Sequence, residues 1–154
     1  MIFLDQRLER LAYISAATRE FSPQDLIEMG YEARRNNENL RVTGMLLLLE
    51  GEFFQVLEGP TAAVEEIFSR ICVDERNEWV TPLVRKRPFR RVFRTWSMGV
   101  MDLPFDKLPK DVFFKAEWPE VKRRTNAEGQ EFFGFLERFY RTNDQLARAA
   151  GEIA

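Results

Sequence analysis

The sequence predicts an α+β fold of the ferredoxin-like type: a βαββαββ sandwich with a mixed sheet, two helices on one face and C-terminal helices. Three observations predict it. Apolar runs of strand length alternate with two helical patterns in the order βαββαββ. A glycine-containing turn joins two of the strands into a hairpin. The chain has 154 residues, 45% of them apolar, which suits one domain with its own core and a short appendage.

The chain begins with a predicted strand and helix. Residues 11–15 (LAYIS) form a short apolar run between polar residues, which indicates a strand. Ser22-Pro23-Gln24-Asp25 offers an N-cap, a proline at the first helical position and an acid three residues after the cap. The paired amides Asn36-Asn37 favour a helix end because their side chains compete for backbone hydrogen bonds. We therefore predict a helix from this cap to Asn36-Asn37.

A tight hairpin follows the first helix. Residues 42–50 and 53–58 are apolar runs separated by Gly51-Glu52. Glycine supplies the positive φ that such a turn requires, so we expect these runs to be antiparallel neighbours.

A second helix and two further strands complete the predicted domain. Apolar residues at helical spacing predict a helix from Thr61 to about residues 74–77. Residues 79–84 read as a fourth strand, at an edge or bulged because Pro82 cannot donate to a ladder. A fifth strand is predicted over residues 92–101.

The chain changes character after Asp102, where prolines interrupt a charged, aromatic stretch. We predict a domain over residues 1–102 and a C-terminal helical extension over 103–154. Residues 128–149 read as one long helix with an aromatic stripe. An unmatched apolar face of this kind predicts a homo-oligomer.

Composition excludes several functions. The chain has no histidine and a single cysteine, Cys72. Triads that use histidine, zinc sites that use histidine and cysteine-rich metal sites are therefore absent, and we predict no metal. A net charge of −2 argues against nucleic acid as a bulk electrostatic partner. The sequence shows no leader and no membrane-length apolar run, so we expect a cytoplasmic protein that does not enter a membrane.

Gln55 and Tyr13 are the first functional candidates. Strand alternation places Gln55 on the same face as Phe53 and Leu57. Such an amide is either satisfied by a neighbouring element or directed at a polar ligand, where it can both donate and accept. Tyr13 lies in the middle of an apolar strand, which suits a core tyrosine or a redox-active phenol beside a cofactor.

Other candidates have simple structural explanations as well. Asn36-Asn37 could cap the helix or contact the polar edge of a heteroaromatic ring. Trp96 and Met98 could fill the core, or Met98 could repack between two states. Six basic residues between Arg85 and Arg94 could form a solvated loop, or bind phosphates or an acidic partner.

Several motifs in this order resemble the BLUF family of blue-light receptors that bind FAD. They cover residues 8–102: LAYIS around Tyr13, RRNN ending at Asn37, VTGMLLL, GEFFQVLEGP around Gln55, VDERN, and RTWSMG around Trp96. FFQVLEGP followed by WSM is the most specific part. One departure is Asn77, where several relatives carry histidine.

The resemblance implies that FAD lies between the two helices, with FMN or riboflavin as substitutes. Tyr13 would donate an electron and a proton to the excited flavin, and Gln55 would bridge Tyr13 to the flavin edge. Trp96 and Met98 would relay the change in Gln55 to the surface. The implied cofactor-binding residues are Ser15, Met29, Asn36, Asn37, Phe53, Gln55, Arg70, Ile71, Asp74 and Arg76.

The expected output is a signal to a protein effector in trans. About 50 residues remain outside the predicted domain, too few for an effector or catalytic domain, so we expect a switch and not an enzyme. The alternative is a ferredoxin-like binding module for RNA or an acidic protein, without a cofactor. Such a protein would be colourless, and if it bound RNA its affinity would fall strongly with rising salt concentration.

Overall fold

The computed structural model describes residues 7–49, 51–100 and 113–115. All of them belong to one compact unit. In chain order the elements are β1 (Leu8–Ala17), α1 (Pro23–Asn39), β2 (Thr43–Leu49), β3 (Glu52–Pro60), α2 (Thr61–Cys72), β4 (Asn77–Lys86), β5 (Trp96–Val100) and β6 (Phe113–Lys115).

The strands form one mixed sheet in the order β4-β1-β3-β2-β5-β6. β1 is antiparallel to both β3 and β4, and β2 is antiparallel to β3. β5 runs parallel to β2 and to β6. Gly51 joins β2 to β3 with a φ of 81°, as the hairpin pattern predicts. The predicted α+β, ferredoxin-like fold is confirmed.

Both helices cover the same face of the sheet, which has its core in two clusters. The cluster beneath α1 contains Leu26, Met29, Leu46, Phe53, Trp96 and Met98. The cluster beneath α2 contains Leu11, Val42, Leu57, Val64 and Ile67. Ala12, Met45, Leu47, Phe54 and Val56 alternate with these residues along the strands and are also buried. Both faces of the central strands are therefore inaccessible to water.

α1 begins as predicted but ends later. Ser22 Oγ accepts from the Asp25 amide at 3.1 Å, and the Asp25 carboxylate accepts from the Ser22 amide at 3.0 Å. This reciprocal pair is the capping box that the sequence indicates. The helix continues to Asn39, so Asn37 lies in its last turn, and its carbonyl accepts from the amides of Leu40 and Val42. Asn36-Asn37 precedes the helix end and does not mark it.

The last two predicted strands differ in length from the prediction. β4 extends to Asn77–Lys86 at the edge of the sheet, with register shifts opposite β1. β5 begins only at Trp96, although the prediction started the strand at Val92. The amides of Val92 and Phe93 donate instead to the Glu58 carboxylate, at 3.0 Å and 2.6 Å. Those donors are unavailable for a strand ladder, so the strand starts later.

The described residues include one strand that the sequence did not indicate. β6 lies within the predicted helical extension and pairs with β5, so the sheet continues beyond residue 102. The remainder of the predicted extension, including the helix over residues 128–149, lies outside the described residues and stays a prediction.

Candidate cofactor site

A cavity of about 160 Å³ lies between the two helices and the helix-covered face of the sheet. The strands contribute Tyr13, Leu46, Phe53 and Gln55, and α1 contributes Met29, Glu32, Ala33, Asn36 and Asn37. α2, the turn after it and the first residue of β4 contribute Ile67, Arg70, Ile71, Asp74, Arg76 and Asn77. Seven of these fifteen residues are apolar or aromatic and eight are polar or charged, so the cavity offers both apolar walls and polar groups that could orient a small molecule.

Tyr13 and Gln55 meet in this cavity because they are directly opposite each other in the β1–β3 register. Side chains at opposed positions of antiparallel strands project from the same face and lie close together. The Tyr13 hydroxyl donates to Gln55 Oε1, and both residues are buried. The Phe68 ring packs on Tyr13, with 5.7 Å between ring centroids. The strand register thus builds a fixed phenol–amide pair in the cavity wall.

The environment of Tyr13 keeps its proton in place. Burial raises the pKa of the Tyr13 phenol well above its ordinary value, and the electrostatic effect of the neighbouring Cys72 and Asp74 side chains raises it further. The phenol is therefore a hydrogen-bond donor at neutral pH, and the acceptor that it faces in the cavity wall is Gln55.

Asn37 brings an unused donor to the cavity. The residue is 2% exposed, and its Nδ2 has no hydrogen-bond partner among the described residues. A buried amide group without a partner is costly, so such a group in a cavity indicates that a ligand oxygen or nitrogen completes it. The main chain of Asn37 is held at the helix end by Leu40 and Val42. A flat heteroaromatic ring with acceptors at its edge fits these residues.

One rim of the cavity carries paired charges. Arg76 contacts both Asp74 oxygens, at 2.9 Å and 3.0 Å from Nε, and contacts Glu32 at 3.3 Å. The hydrogen bond from Arg76 holds the pKa of Asp74 below its usual value, and Asp74 in turn raises the pKa of Arg76. The Asn77 side chain fixes this turn by donating to the carbonyls of Ile71 and Asp74. Arg70 pairs with Glu66 at 2.6 Å.

The cavity brings together nearly all the residues selected from the sequence. Ser15 differs, because it is buried on the Tyr13 face of β1 but does not line the cavity. Trp96 and Met98 are buried beside the cavity and pack against two of its lining residues, Leu46 and Phe53. The roles of all these residues toward a cofactor remain predictions.

Sequence reasoning did not select five residues that also line the cavity, Glu32, Ala33, Leu46, Ile67 and Asn77. A signal existed for two of them. Glu32 and Ala33 follow Met29 by three and four residues, so they share its helix face.

The described part of the chain offers neither a metal site nor a membrane-spanning helix. No group of three or more acidic or cysteine side chains there could hold a metal ion. No described helix has the length and apolar character needed to cross a membrane.

Comparisons with known proteins agree with this geometry. The family model for sensors of blue light using FAD (BLUF) matches residues 8–99. The photoactivated adenylate cyclase subunit beta-like protein FB of Euglena gracilis is 44% identical over 95 residues, which is 61% of this chain and 11% of that protein. This chain thus spans about a tenth of the length of that relative.

Solved structures show the same architecture. BlrP1 of Klebsiella pneumoniae, in a manganese and cyclic-diGMP complex, superposes with a TM-score of 0.67 and 31% identity, over 86% of this chain and 32% of that one. BlrB, a BLUF protein in its dark state, has a TM-score of 0.55 and 32% identity, over 62% of this chain and 73% of that one. The chain belongs to the BLUF family, whose members sense blue light through bound FAD.

Proposed function

We propose that this protein senses blue light through FAD held in the cavity, with Tyr13 and Gln55 as its photochemical residues. The observation that carries the proposal is the hydrogen bond from the Tyr13 hydroxyl to Gln55 Oε1 in the cavity wall. Bound FAD supplies light absorption and, when excited, a strong oxidant. The protein must then supply an electron donor, an acceptor for the proton of that donor, and a group whose hydrogen bonding stays changed afterwards.

Tyr13 and Gln55 meet these requirements. The raised pKa of Tyr13 keeps its proton on the hydroxyl in the dark, and the hydrogen bond directs that proton at Gln55 Oε1. The Gln55 amide accepts at Oε1 and donates at Nε2, so rotation or tautomerisation exchanges donor and acceptor at one place. Return of the electron and proton to Tyr13 then leaves a changed hydrogen-bond pattern without a covalent bond between the protein and the flavin.

The other cavity residues would hold the cofactor. Asn37 Nδ2, which has no partner among the described residues, would bind an acceptor on the ring edge with Asn36 nearby, and Met29 and Ile71 would flank the ring. Arg70, Asp74 and Arg76 would face the ribityl and phosphate end. Because the charges there are already paired, we expect FMN and riboflavin to substitute for FAD.

The signal would leave through β5. Met98 is fully buried and Trp96 is 8% exposed, with an Nε1 that has no partner among the described residues. Both pack against Leu46 and Phe53 beside Gln55. A rotated amide would present a new donor or acceptor next to these side chains and favour a different packing. We expect a protein effector in trans to read that difference.

The test is the visible absorption spectrum before and after blue light. The expected result is a yellow protein whose flavin band shifts slightly to the red and recovers in the dark. Tyr13→Phe and Gln55→Leu should retain flavin and lose the shift. Tyr31→Phe is the matched control, since Tyr31 lies on α1 and does not line the cavity, and it should shift normally.

The outcomes separate the alternatives. A normal shift in Tyr13→Phe or Gln55→Leu would refute the assigned photochemistry. A colourless protein that takes up no added FAD would refute the receptor and favour the cofactor-free binding module.

A further inference from the structure

Two complementary surfaces lie at opposite ends of β4. The first, here called the basic loop, comprises residues 85–94. No acidic residue occurs between Trp79 and Met101. Five of the six basic side chains in the loop are exposed, as is Phe89, which is 99% exposed. The exposed basic residues are Arg85, Lys86, Arg87, Arg90 and Arg94.

The second surface, here called the acidic turn, comprises residues 73–79, which run from the end of α2 through the first three residues of β4. It presents two large apolar side chains to solvent, Val73 at 81% and Trp79 at 78% exposure. Glu75 and Glu78 are exposed beside them. The single basic residue of the turn, Arg76, is occupied by Asp74 and Glu32. The acidic turn thus has negative charge around two exposed apolar side chains, and the basic loop has positive charge around one.

Both surfaces are held in place by the fold. The end of the basic loop is fixed because Glu58 accepts from the amides of Val92 and Phe93. The Arg91 guanidinium also donates to the Glu58 carbonyl, at 2.8 Å. In the acidic turn, Trp79 has a φ of 54°, a conformation that bulky residues rarely adopt. Backbone that is already anchored beside a surface lowers the ordering cost of a contact there.

The two surfaces cannot meet within one molecule. Five residues of β4, 80–84, lie between them, and the distance from Trp79 to Arg85 is about 20 Å at strand geometry. Its register confirms the separation, since Asn77 lies opposite Ala17 and Lys86 lies opposite Arg10. A contact between these surfaces therefore needs two molecules and is heterologous, which closes into rings or extends into filaments.

We propose that the basic loop of one copy of this chain docks on the acidic turn of a second copy, with Phe89 packed against Val73 and Trp79. Charge complementarity and the matching apolar side chains select a second copy as the occupant. The contact is also adjacent to the cavity, because Asp74 and Arg76 of the same turn line it. Neither flavin nor light is required, so the contact and the photoreceptor proposal can fail independently.

The experiment is sedimentation velocity of the full chain over a wide concentration range, in flavin-free and flavin-loaded samples. Wild-type protein should self-associate in both samples and dissociate in high salt. Phe89→Ser should weaken association at least about tenfold, since aromatic and arginine side chains carry most interface energy. Trp79→Asn should do the same, and asparagine tolerates the positive φ.

Charge reversal tests the pairing directly. Arg90→Glu and Glu78→Lys should each weaken association, and an equimolar mixture of the two should restore it. Arg35→Glu and Glu65→Lys make the same charge changes at exposed positions of α1 and α2 and should have no effect.

Several results would overturn the proposal. These are a monomeric wild-type chain, association that survives Phe89→Ser, and single reversals that the mixture does not rescue. A loop that instead binds RNA or anionic vesicles, with no self-association, would also overturn it.

Discussion

Glu58→Gln should lower the free energy of unfolding more than the corresponding acid-to-amide substitution at any other acidic residue that the structure describes. Glu58 is fully buried on the sheet face opposite the cavity. One of its oxygens accepts from Arg10 Nε and Nη2, at 3.2 Å and 3.1 Å. The other accepts from the amides of Val92 and Phe93. An ion pair and the segment before β5 thus depend on one carboxylate.

The magnitude follows from these contacts. A glutamine side chain at this position would keep one acceptor oxygen, and its NH2 group would have to face donors on the other side. Either Arg10 would then lose its charged partner, or the Phe93 amide would lose its acceptor, whereas the Val92 amide lies within 3.1 Å of both oxygens. Breaking a buried ion pair by removing one partner costs about 3 to 5 kcal/mol. Against a typical total of about 5 to 15 kcal/mol, Glu58→Gln removes a large fraction of the free energy of unfolding.

The assay is urea denaturation at neutral pH, with Glu38→Gln as the matched control. Glu38 pairs with Arg34 at 3.0 Å but is 60% exposed, so its loss should cost less than about 0.5 kcal/mol. Adding Arg10→Met to Glu58→Gln should return about 1 kcal/mol or more, because no unpaired charge then remains. Equal costs for Glu58→Gln and Glu38→Gln would refute the reasoning.

Two further predictions concern Tyr13 and the glycines of the sheet. Burial raises the pKa of Tyr13 in the folded protein, so the unfolded chain loses this proton first. The stability that the protonated phenol contributes is therefore complete below the unfolded pKa of about 10 and is lost as the pH rises above that value. Denaturation at alkaline pH should therefore show a decline in wild type that Tyr13→Phe lacks, up to about 1.4 kcal/mol per pH unit, and identical slopes would contradict this. Gly44→Ala would place a Cβ 1.9 Å from the Val56 carbonyl oxygen at a φ of 153°, so it should cost about 2 to 4 kcal/mol. Gly51 has a φ of 81° with nothing within 4 Å of its Cβ position, so Gly51→Ala should cost only about 1 kcal/mol. Thermal denaturation of both variants measures the two costs, and a Gly51→Ala cost equal to or larger than that of Gly44→Ala would contradict this prediction.

Local patterns predicted the elements whose ends are set by local interactions. The Ser22–Asp25 capping box and the Gly51 turn form from residues adjacent in sequence, so both appear where the pattern places them. The start of β5 depends instead on Glu58, more than thirty residues earlier in the chain. No window of sequence around Val92 contains that partner. β6 is similar, since a strand of three residues exists only because β5 is there to pair with it.

The cavity residues also fall into those that local patterns identify and those that only tertiary packing identifies. Tyr13 and Gln55 could be selected because strand alternation and one hairpin determine which side chains share a face. Leu46 and Ile67 look like ordinary core residues in sequence, and only the packing of helices over the sheet leaves them beside a space. The same limit applies to Ser15, whose strand face was predictable but whose distance from the cavity was not.

β3 carries two buried polar side chains on opposite faces, and their chemistry differs in a way that suits a switch. Gln55 meets Tyr13 on the cavity face, and Glu58 meets Arg10 on the other. A slip of one residue would exchange the faces and separate both pairs, so together they enforce the register. The ion pair has one stable arrangement, because a buried arginine cannot release its charge. The neutral phenol and amide can exchange donor and acceptor roles without creating a buried charge. The strand that holds the register thus also carries the hydrogen bond in the cavity wall that can change at low cost.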